Sequence, residues 1–170
     1  MLKIHVGGLF GKPQGTLQRM AIDQPLHFAG SGEPIIVGNV SFRLLMIKLP
    51  HEINVQMKDF HAAIQGQCTR CLKIFIFELN IPAASREFII DLEPDQLDPG
   101  EEVDYVEKRT HSLFLDRMVR EEILLHSPPI PLCSLRCRGL CDKCGTSLNE
   151  SPCQCVPLTE LPKFSLRSLL

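Results

Sequence analysis

Eight cysteines are the residues of this chain whose type and spacing are suited to chemistry. They stand at positions 68, 71, 133, 137, 141, 144, 153 and 155 of 170 residues. The pairs Cys68/Cys71 and Cys141/Cys144 have the Cys-x-x-Cys spacing of a zinc knuckle, a tight turn that presents two thiolates to one ion. A disulfide framework is the alternative, but it belongs to exported proteins. The first fifteen residues lack the apolar stretch of a signal peptide, so we expect a cytoplasmic protein with reduced thiols.

The number of possible ligands favours two zinc ions. A structural zinc takes four ligands in a tetrahedron, so the pair at 68 and 71 is two ligands short of a site. The nearest tail cysteines complete it, which predicts site 1 as Cys68, Cys71, Cys133 and Cys137 and site 2 as Cys141, Cys144, Cys153 and Cys155. Site 1 then ties the tail to the body of the protein. Two alternatives stay open: one local site with four reduced structural cysteines, and an exchange of partners between the two groups.

The elements that must position these cysteines predict an α+β fold with an antiparallel, β-rich body. β-branched and aromatic residues predict a strand over 40–49, which Pro50 ends. Alternating apolar and polar residues predict further strands, at 53–58 and 60–64, and short apolar runs predict strand pieces at 74–77 and 88–90. Cys68 and Cys71 therefore lie at the tip of a β-hairpin.

A C-terminal helix and a small cysteine-rich tail follow the predicted sheet. Residues 91–107 are acidic and rich in turn formers, which predicts a solvated loop. Residues 113–126 predict a helix that packs on the sheet through an apolar stripe of Phe114, Leu115, Met118, Val119, Ile123 and Leu125. We predict a body over 1–126 and a proline-linked, zinc-stapled segment over 127–170, docked on the knuckle at 68–71. In that segment Gly139, Gly145 and Asn149 are suited to turns with positive φ.

The composition argues against several function classes. No apolar run approaches the roughly 20 residues that span a bilayer, so we expect no membrane contact. The sequence contains no P-loop, nucleophile elbow or dinucleotide fingerprint. Sites made only of thiolates keep no open position for water, so we expect no enzyme and no small-molecule substrate. The net charge of −2 is unevenly distributed, with an excess of acidic residues over 91–132 and of basic residues before and after.

The order of these motifs resembles the YceD family, the large ribosomal RNA subunit accumulation proteins. The resemblance rests on Cys68-Thr-Arg-Cys71-Leu at a hairpin, an acidic stretch, a helix, a proline-rich link and the cysteine run from Cys133 to Cys155. It implies that the eight cysteines bind metal and that the protein has no catalytic activity. It also implies a role in large-subunit rRNA accumulation. Relatives often carry Asp-Pro-Arg near the C-terminus, where this chain has Leu161-Pro162-Lys163.

The predicted function is therefore that of a non-enzymatic zinc-binding factor for rRNA accumulation and large-subunit assembly. Its predicted partner is the precursor of the large ribosomal subunit or its rRNA, or else a basic ribosomal protein or another assembly factor. Knuckles hold cations at fixed positions, so the candidates for RNA contact are Arg70, Arg136, Arg138 and Lys143. Two alternatives stay open: a thiol-redox or zinc switch, and a zinc-ribbon adaptor between proteins.

Overall fold

The fold was analysed in a computed structural model that describes residues 1–90, 92 and 102–155. In chain order its elements are β1 (Lys3–His5), α1 (Gly7–Phe10), β2 (Leu17–Pro25), β3 (Ile35–Lys48), β4 (Glu52–Gln67), β5 (Ile74–Ile89), β6 (Ser112–Phe114) and α2 (Asp116–His126). Strands β2-β3-β4-β5 form an antiparallel sheet in that order, and β1 pairs with β6 in a second, antiparallel sheet. The predicted α+β class, a mostly antiparallel sheet with a short C-terminal helix and a cysteine-rich tail, is confirmed.

The core lies on one face of the four-stranded sheet. In β4 the side chains of Ile53, Val55 and Met57 are almost fully buried, whereas those of the intervening residues remain partly accessible. Helix α2 covers this face with Met118 and Val119, which join the same apolar cluster as the strand residues. Removing these apolar side chains from water supplies the main driving force for folding. The opposite face of β2–β5, which we call the open face, points to solvent.

In the middle of β4, the set of residues whose side chains face the core shifts by one position. Ser41 of β3 pairs with His61, but Arg43 pairs with Lys58, so β4 has one extra residue over this stretch. Asp59 lies there with a φ of 52°. A bulge of this kind inserts a residue and resets which side chains face the core. The buried positions accordingly pass from Met57 to Phe60, and Lys58 and Asp59 are both exposed.

Several predicted boundaries are corrected by the structure. The strand predicted to begin at residue 40 begins at Ile35, and the two strands predicted at 53–58 and 60–64 form one continuous β4. The pieces predicted at 74–77 and 88–90 belong to β5, which ends at Ile89. Cross-strand hydrogen bonding continues through the polar and proline-containing stretch between them, where local propensity is weak.

The predicted helix starts three residues too early. Residues 112–114 form β6 because they pair with β1, a partner more than a hundred residues away in sequence. The helix α2 begins at Asp116, whose carboxylate accepts the backbone N–H of Leu2 at 2.9 Å. The prediction that Leu125 belongs to the packed stripe is wrong, since its side chain is 75% exposed. The strands β1 and β2 and the short helix α1 lie in the N-terminal region that we predicted only as β in general.

The acidic loop predicted over 91–107 lies partly outside the described residues, namely at 91 and 93–101. From residue 102 onward the structure describes this segment, and it lies beside the sheet, where Tyr105 forms a parallel bridge with Ile89. No helix in the described part of the chain is long and apolar enough to cross a membrane. The boundary between body and tail at residue 127 stays a prediction.

Candidate metal centres

The turn between β4 and β5 carries the first pair of cysteines. The backbone N–H of Cys68 donates to the carbonyl of Lys73, and the N–H of Leu72 donates to the carbonyl of Cys68, each at 2.9 Å. Leu72 has a φ of 60°, an uncommon conformation for a residue with a branched side chain. This tight turn buries Cys68 and Cys71. Two long paired strands therefore support the first knuckle at the tip of the sheet, as the sequence predicted.

The tail reaches this hairpin tip through backbone contacts. After α2, the chain brings the carbonyl of Pro131 to the N–H of Thr69 at 3.0 Å. The guanidinium of Arg70 donates to the carbonyl of Cys137 at 3.1 Å. Gly139 also lies against the tip, where a Cβ in its place would stand 3.2 Å from the carbonyl oxygen of Arg70. These contacts fix Cys133 and Cys137 beside the first pair.

The four sulfurs of site 1 have the spacing of ligands around one ion. They all lie within 4.8 Å of one another, with Cys68 Sγ 3.8 Å from Cys137 Sγ and Cys71 Sγ 3.6 Å from Cys133 Sγ. A zinc ion with bonds of about 2.3 Å to a tetrahedron of sulfurs separates those sulfurs by about 3.8 Å. A disulfide needs about 2.05 Å. The donor set thus fits a closed tetrathiolate metal site, and all eight cysteines are free thiols.

The hydrogen bonds around site 1 favour the thiolate form of Cys68 and Cys137 and the thiol form of Cys133. The side-chain amide of Asn149 donates to Cys137 Sγ at 3.3 Å and lowers the pKa of that thiol. The backbone N–H of Cys133 is the main reason why the pKa of Cys68 falls to about 6. Conversely, a hydrogen bond between the thiol of Cys133 and the sulfur of Cys71, 3.6 Å away, is the main reason why the pKa of Cys133 rises to about 12. A metal ion binds thiolates, so a cation among the four sulfurs would displace such protons and let all four ionise together.

Site 2 is built within the tail by a second turn of the same type. The sulfurs of Cys141, Cys144, Cys153 and Cys155 lie within 4.8 Å of one another. The N–H of Gly145 donates to the carbonyl of Cys141, and the N–H of Cys141 donates to the carbonyl of Thr146, each at 2.9 Å. A hydrogen bond from the Thr146 hydroxyl lowers the pKa of Cys144 to about 6. In contrast to site 1, where three cysteines are buried and Cys133 is half-buried, the side chain of Cys144 is exposed to solvent.

The structure gathers the eight cysteines into the same two groups that the ligand count predicted. It does not bring together any of the mixed groups allowed by an exchange of partners, within the described residues. The zinc identity stays a prediction. Of the candidates for RNA contact, Arg70 lies at the hairpin tip and bonds to Cys137, while Arg136, Arg138 and Lys143 are exposed on the tail.

Asn149 has a different role from the predicted one. Among the described residues, the non-glycine residues with positive φ are Asp59, Leu72 and His111, so the predicted positive φ of Asn149 is wrong. Its side chain instead accepts the N–H of Arg138 at 2.7 Å and donates to Cys137 Sγ. Asn149 therefore links the tail segment between Cys144 and Cys153 to Cys137, a member of site 1. The sequence signal for this role was weak: a lone Asn five residues after Cys144.

Glycine at position 139 is required by both its conformation and its surroundings. Its φ is +78°, and a Cβ there would press on the carbonyl oxygen of Arg70. Gly139→Ala should therefore lower the metal affinity of site 1 about tenfold or more, since a left-handed non-glycine residue costs about 1–2 kcal/mol before the crowding is counted. Chelator competition on the metal-loaded protein measures this affinity.

Gly145→Ala is the matched control for that substitution. Gly145 has a φ of +72°, but a Cβ there meets no atom within 4 Å. It should weaken site 2 by the backbone strain alone and leave site 1 unchanged. An equal loss at site 1 in both variants contradicts the role of the contact between Gly139 and Arg70.

Fold and site together define a class of protein: an antiparallel sheet whose hairpin tip and tail share one group of four cysteines, with a second such group in the tail. Residues 58–169 match the family described as the large ribosomal RNA subunit accumulation protein YceD. Because the match covers well over half of the chain, including both groups of cysteines, the protein belongs to the YceD family. Comparisons with curated proteins and with solved structures gave no significant match.

Proposed function

We propose that this protein is a non-enzymatic zinc-binding factor that acts in the cytoplasm on the precursor of the large ribosomal subunit. The family implies a role in the accumulation of large-subunit rRNA. The proposal adds three finer statements to that role: the metal is zinc, the ions are structural, and the protein binds the assembling particle directly.

The closed form of the two cysteine groups is the observation that carries the structural role of the metal. Each group supplies four sulfurs within 4.8 Å. Catalytic zinc sites keep one position for water or substrate, whereas four thiolates fill the tetrahedron. A thiolate-rich site also favours zinc over magnesium or calcium, which prefer oxygen ligands. We therefore assign the ions to holding the tail in place and assign no catalytic step to them.

Site 1 lies where the tail meets the tip of the hairpin between β4 and β5, so a metal ion there would hold the tail against the rigid sheet. The part of the tail from Cys133 to Asn149 contains few apolar residues, and small segments of this kind usually depend on a metal or a disulfide for their fold. Its exposed cations Arg136 and Arg138 flank Cys137. Cations on a fixed backbone bind phosphate with a smaller ordering cost than those on a flexible chain. RNA within the particle is thus the partner that suits this surface.

Depletion of the protein tests the proposed role. We expect a sucrose gradient of depleted cells to show fewer mature large subunits and more precursor particles, with the small subunit less affected. Restoring the wild-type chain should reverse the defect, whereas a chain with serine at Cys68 should not. Normal levels of large subunits after depletion contradict the proposal.

Metal analysis tests the structural assignment against a thiol-redox switch. The exposed side chain of Cys144 is the observation that favours a switch, since oxidants reach accessible thiolates first. Protein purified without chelator should contain about two zinc ions per chain and eight thiols that alkylate only after the metal is removed. Native protein with cysteines cross-linked in the cell supports the switch instead.

A further inference from the structure

The open face of the sheet carries a group of cations that the cysteine sites do not explain. Arg19 of β2, Arg43 of β3 and Lys58 of β4 line a surface groove of about 510 Å³, together with Ala21 and Leu45. The register places Ala21, Arg43 and Lys58 in one row across three strands and puts Arg19 in the next outward-facing row, opposite Leu45. The three cations therefore project from neighbouring positions of one rigid surface. We call this set the basic groove.

Such a cluster is unfavourable for the isolated protein. Like charges directly opposite each other in a sheet destabilise it, and Arg43 and Lys58 are cross-strand partners. One carboxylate relieves part of the repulsion, because Asp59 pairs with Arg43. In the described part of the chain, the side chains of Arg19 and Lys58 have no hydrogen-bond or ion-pair partner. An anion from another molecule would supply the missing counter-charge.

The bulge in β4 brings these groups together. With the extra residue at Asp59, Lys58 and Asp59 both face solvent, so Lys58 stands opposite Arg43 while Asp59 reaches the same guanidinium. Asp59 holds Arg43 in place against the sheet. The bulge costs regular pairing and a left-handed residue, and bulges are common next to functional sites.

The shape of the surface selects the kind of anion. The groove is broad and lies on a sheet, so it suits an extended chain of phosphates better than a small enclosed ligand. Single-stranded RNA is usually held by stacking its bases on aromatic rings. The outward-pointing residues of β2–β5 include no Phe, Tyr or Trp, and their one histidine, His61, pairs with Glu78 at 3.1 Å. Phosphates of double-helical RNA, which are recognised through shape and charge, fit this surface best.

We infer that the open face binds the phosphate backbone of an RNA duplex through Arg19, Arg43 and Lys58. This inference rests on the proposed role at the large-subunit precursor and adds a second contact to it. Nine residues of β4 separate Lys58 from the hairpin tip, and at the rise per residue of a strand they span about 30 Å. The groove and the cysteine-rich tail are therefore distinct surfaces that touch different parts of the same RNA.

The test is the salt dependence of binding to an RNA duplex. The full, metal-loaded chain is titrated against a labelled duplex of roughly 20 base pairs at several salt concentrations, with fluorescence anisotropy as the readout. Arg19→Ala/Lys58→Ala should weaken binding about tenfold and lower the slope of log affinity against log salt by about two, one for each lost phosphate contact. Arg43 is left in place because its removal would free the charge of Asp59.

Lys3→Ala/Lys12→Ala is the matched control, since it removes the same charge from residues that do not line the groove. The control should keep the wild-type affinity and slope. The inference is overturned if the groove variant binds like the wild type, or if both double variants lose the same affinity. It is also overturned if the wild-type chain prefers a polyglutamate peptide or the single strand to the duplex.

These outcomes are separable from the proposed function. If the wild-type protein co-sediments with large-subunit precursors but the groove variant does so equally well, the groove is excluded and the proposed function stands. If depletion leaves large subunits normal, the proposed function fails whatever the duplex measurement gives.

Discussion

Cys68→Ser is expected to remove one of two bound zinc ions and to release the tail from the sheet. Cys68 Sγ lies 3.8 Å from Cys137 Sγ, and its loss leaves three thiolates that cannot complete the tetrahedron. Binding of a structural zinc is worth on the order of 10 kcal/mol and is coupled to folding, so most of the docking energy disappears with it. The zinc content measured by elemental analysis should fall from about two ions per chain to about one. Limited proteolysis should cut the chain between residues 127 and 132.

Cys153→Ser is the matched control for that result. Cys153 belongs to the group formed within the tail, so its loss should also leave one zinc ion, but at site 1. The link at 127–132 should then stay protected, because the contacts from Thr69 to Pro131 and from Arg70 to Cys137 persist. If both variants lose the same ion, or if both expose the link equally, the division into a bridging site and a local site is wrong.

The cysteine groups could be predicted from the sequence because a structural zinc ion needs a fixed number of ligands. A close pair supplies two ligands, four are needed, and the nearest tail cysteines complete the first set. The hairpin that carries the first pair could be predicted as well, since apolar alternation before Cys68 and an apolar run after Cys71 indicate its two strands. Neither argument requires any knowledge of contacts between distant elements.

The errors come from contacts that are remote in sequence. Leu113 opens the predicted helix, but it becomes part of β6 because Ile4 pairs with it from the other end of the chain. Leu125 fits the predicted apolar stripe, yet its side chain is 75% exposed. Local periodicity predicts which residues can be buried, whereas the position of the neighbouring element decides which of them are.

The bulge in β4 and the hydrogen bond from Asn149 to Cys137 show two other limits of prediction from the sequence. The apolar positions of β4 change from odd to even numbers around Asp59, and this shift was visible in the sequence as a sign of an extra residue. That signal was available and went unused. The bond from Asn149 to Cys137 left no such trace, because a single polar side chain has no periodicity.

A network of ion pairs joins the sheet, the end of the acidic segment and α2. Arg86 of β5 lies 3.1 Å from Asp104 and 2.7 Å from Glu121 of the helix. The side chain of Asp104 is only 9% exposed, so its charge is largely removed from water. Arg117 pairs with Glu121 from the opposite side at 2.9 Å. Hydrogen bonds from Arg117 and then Arg86 lower the pKa of Glu121.

Arg86→Met should lower the free energy of unfolding by about 2 kcal/mol at neutral pH, because it removes one of the two arginines that pair with the partly buried carboxylates of Asp104 and Glu121. The deficit should depend on pH. The lowered pKa of Glu121 means that its contribution in the wild type is present above its unfolded pKa of about 4.3 and is lost as the pH falls through the folded value. Arg86→Met removes one of the hydrogen bonds that hold this pKa down, so the deficit should be full at pH 7 and should shrink as the pH falls below about 4.3 towards pH 3.

Urea unfolding of the two proteins at each pH measures this difference, and any loss of metal in acid affects both alike. Arg43→Met serves as the control: it removes an arginine whose partner Asp59 is on the surface, and such exposed pairs contribute about 1 kcal/mol or less. The two substitutions replace the same side chain with the same apolar one, so burial of the partner carboxylates is what distinguishes them. A deficit for Arg86→Met that is equal at pH 7 and pH 3 would assign the role of Arg86 to packing of its aliphatic stem rather than to charge.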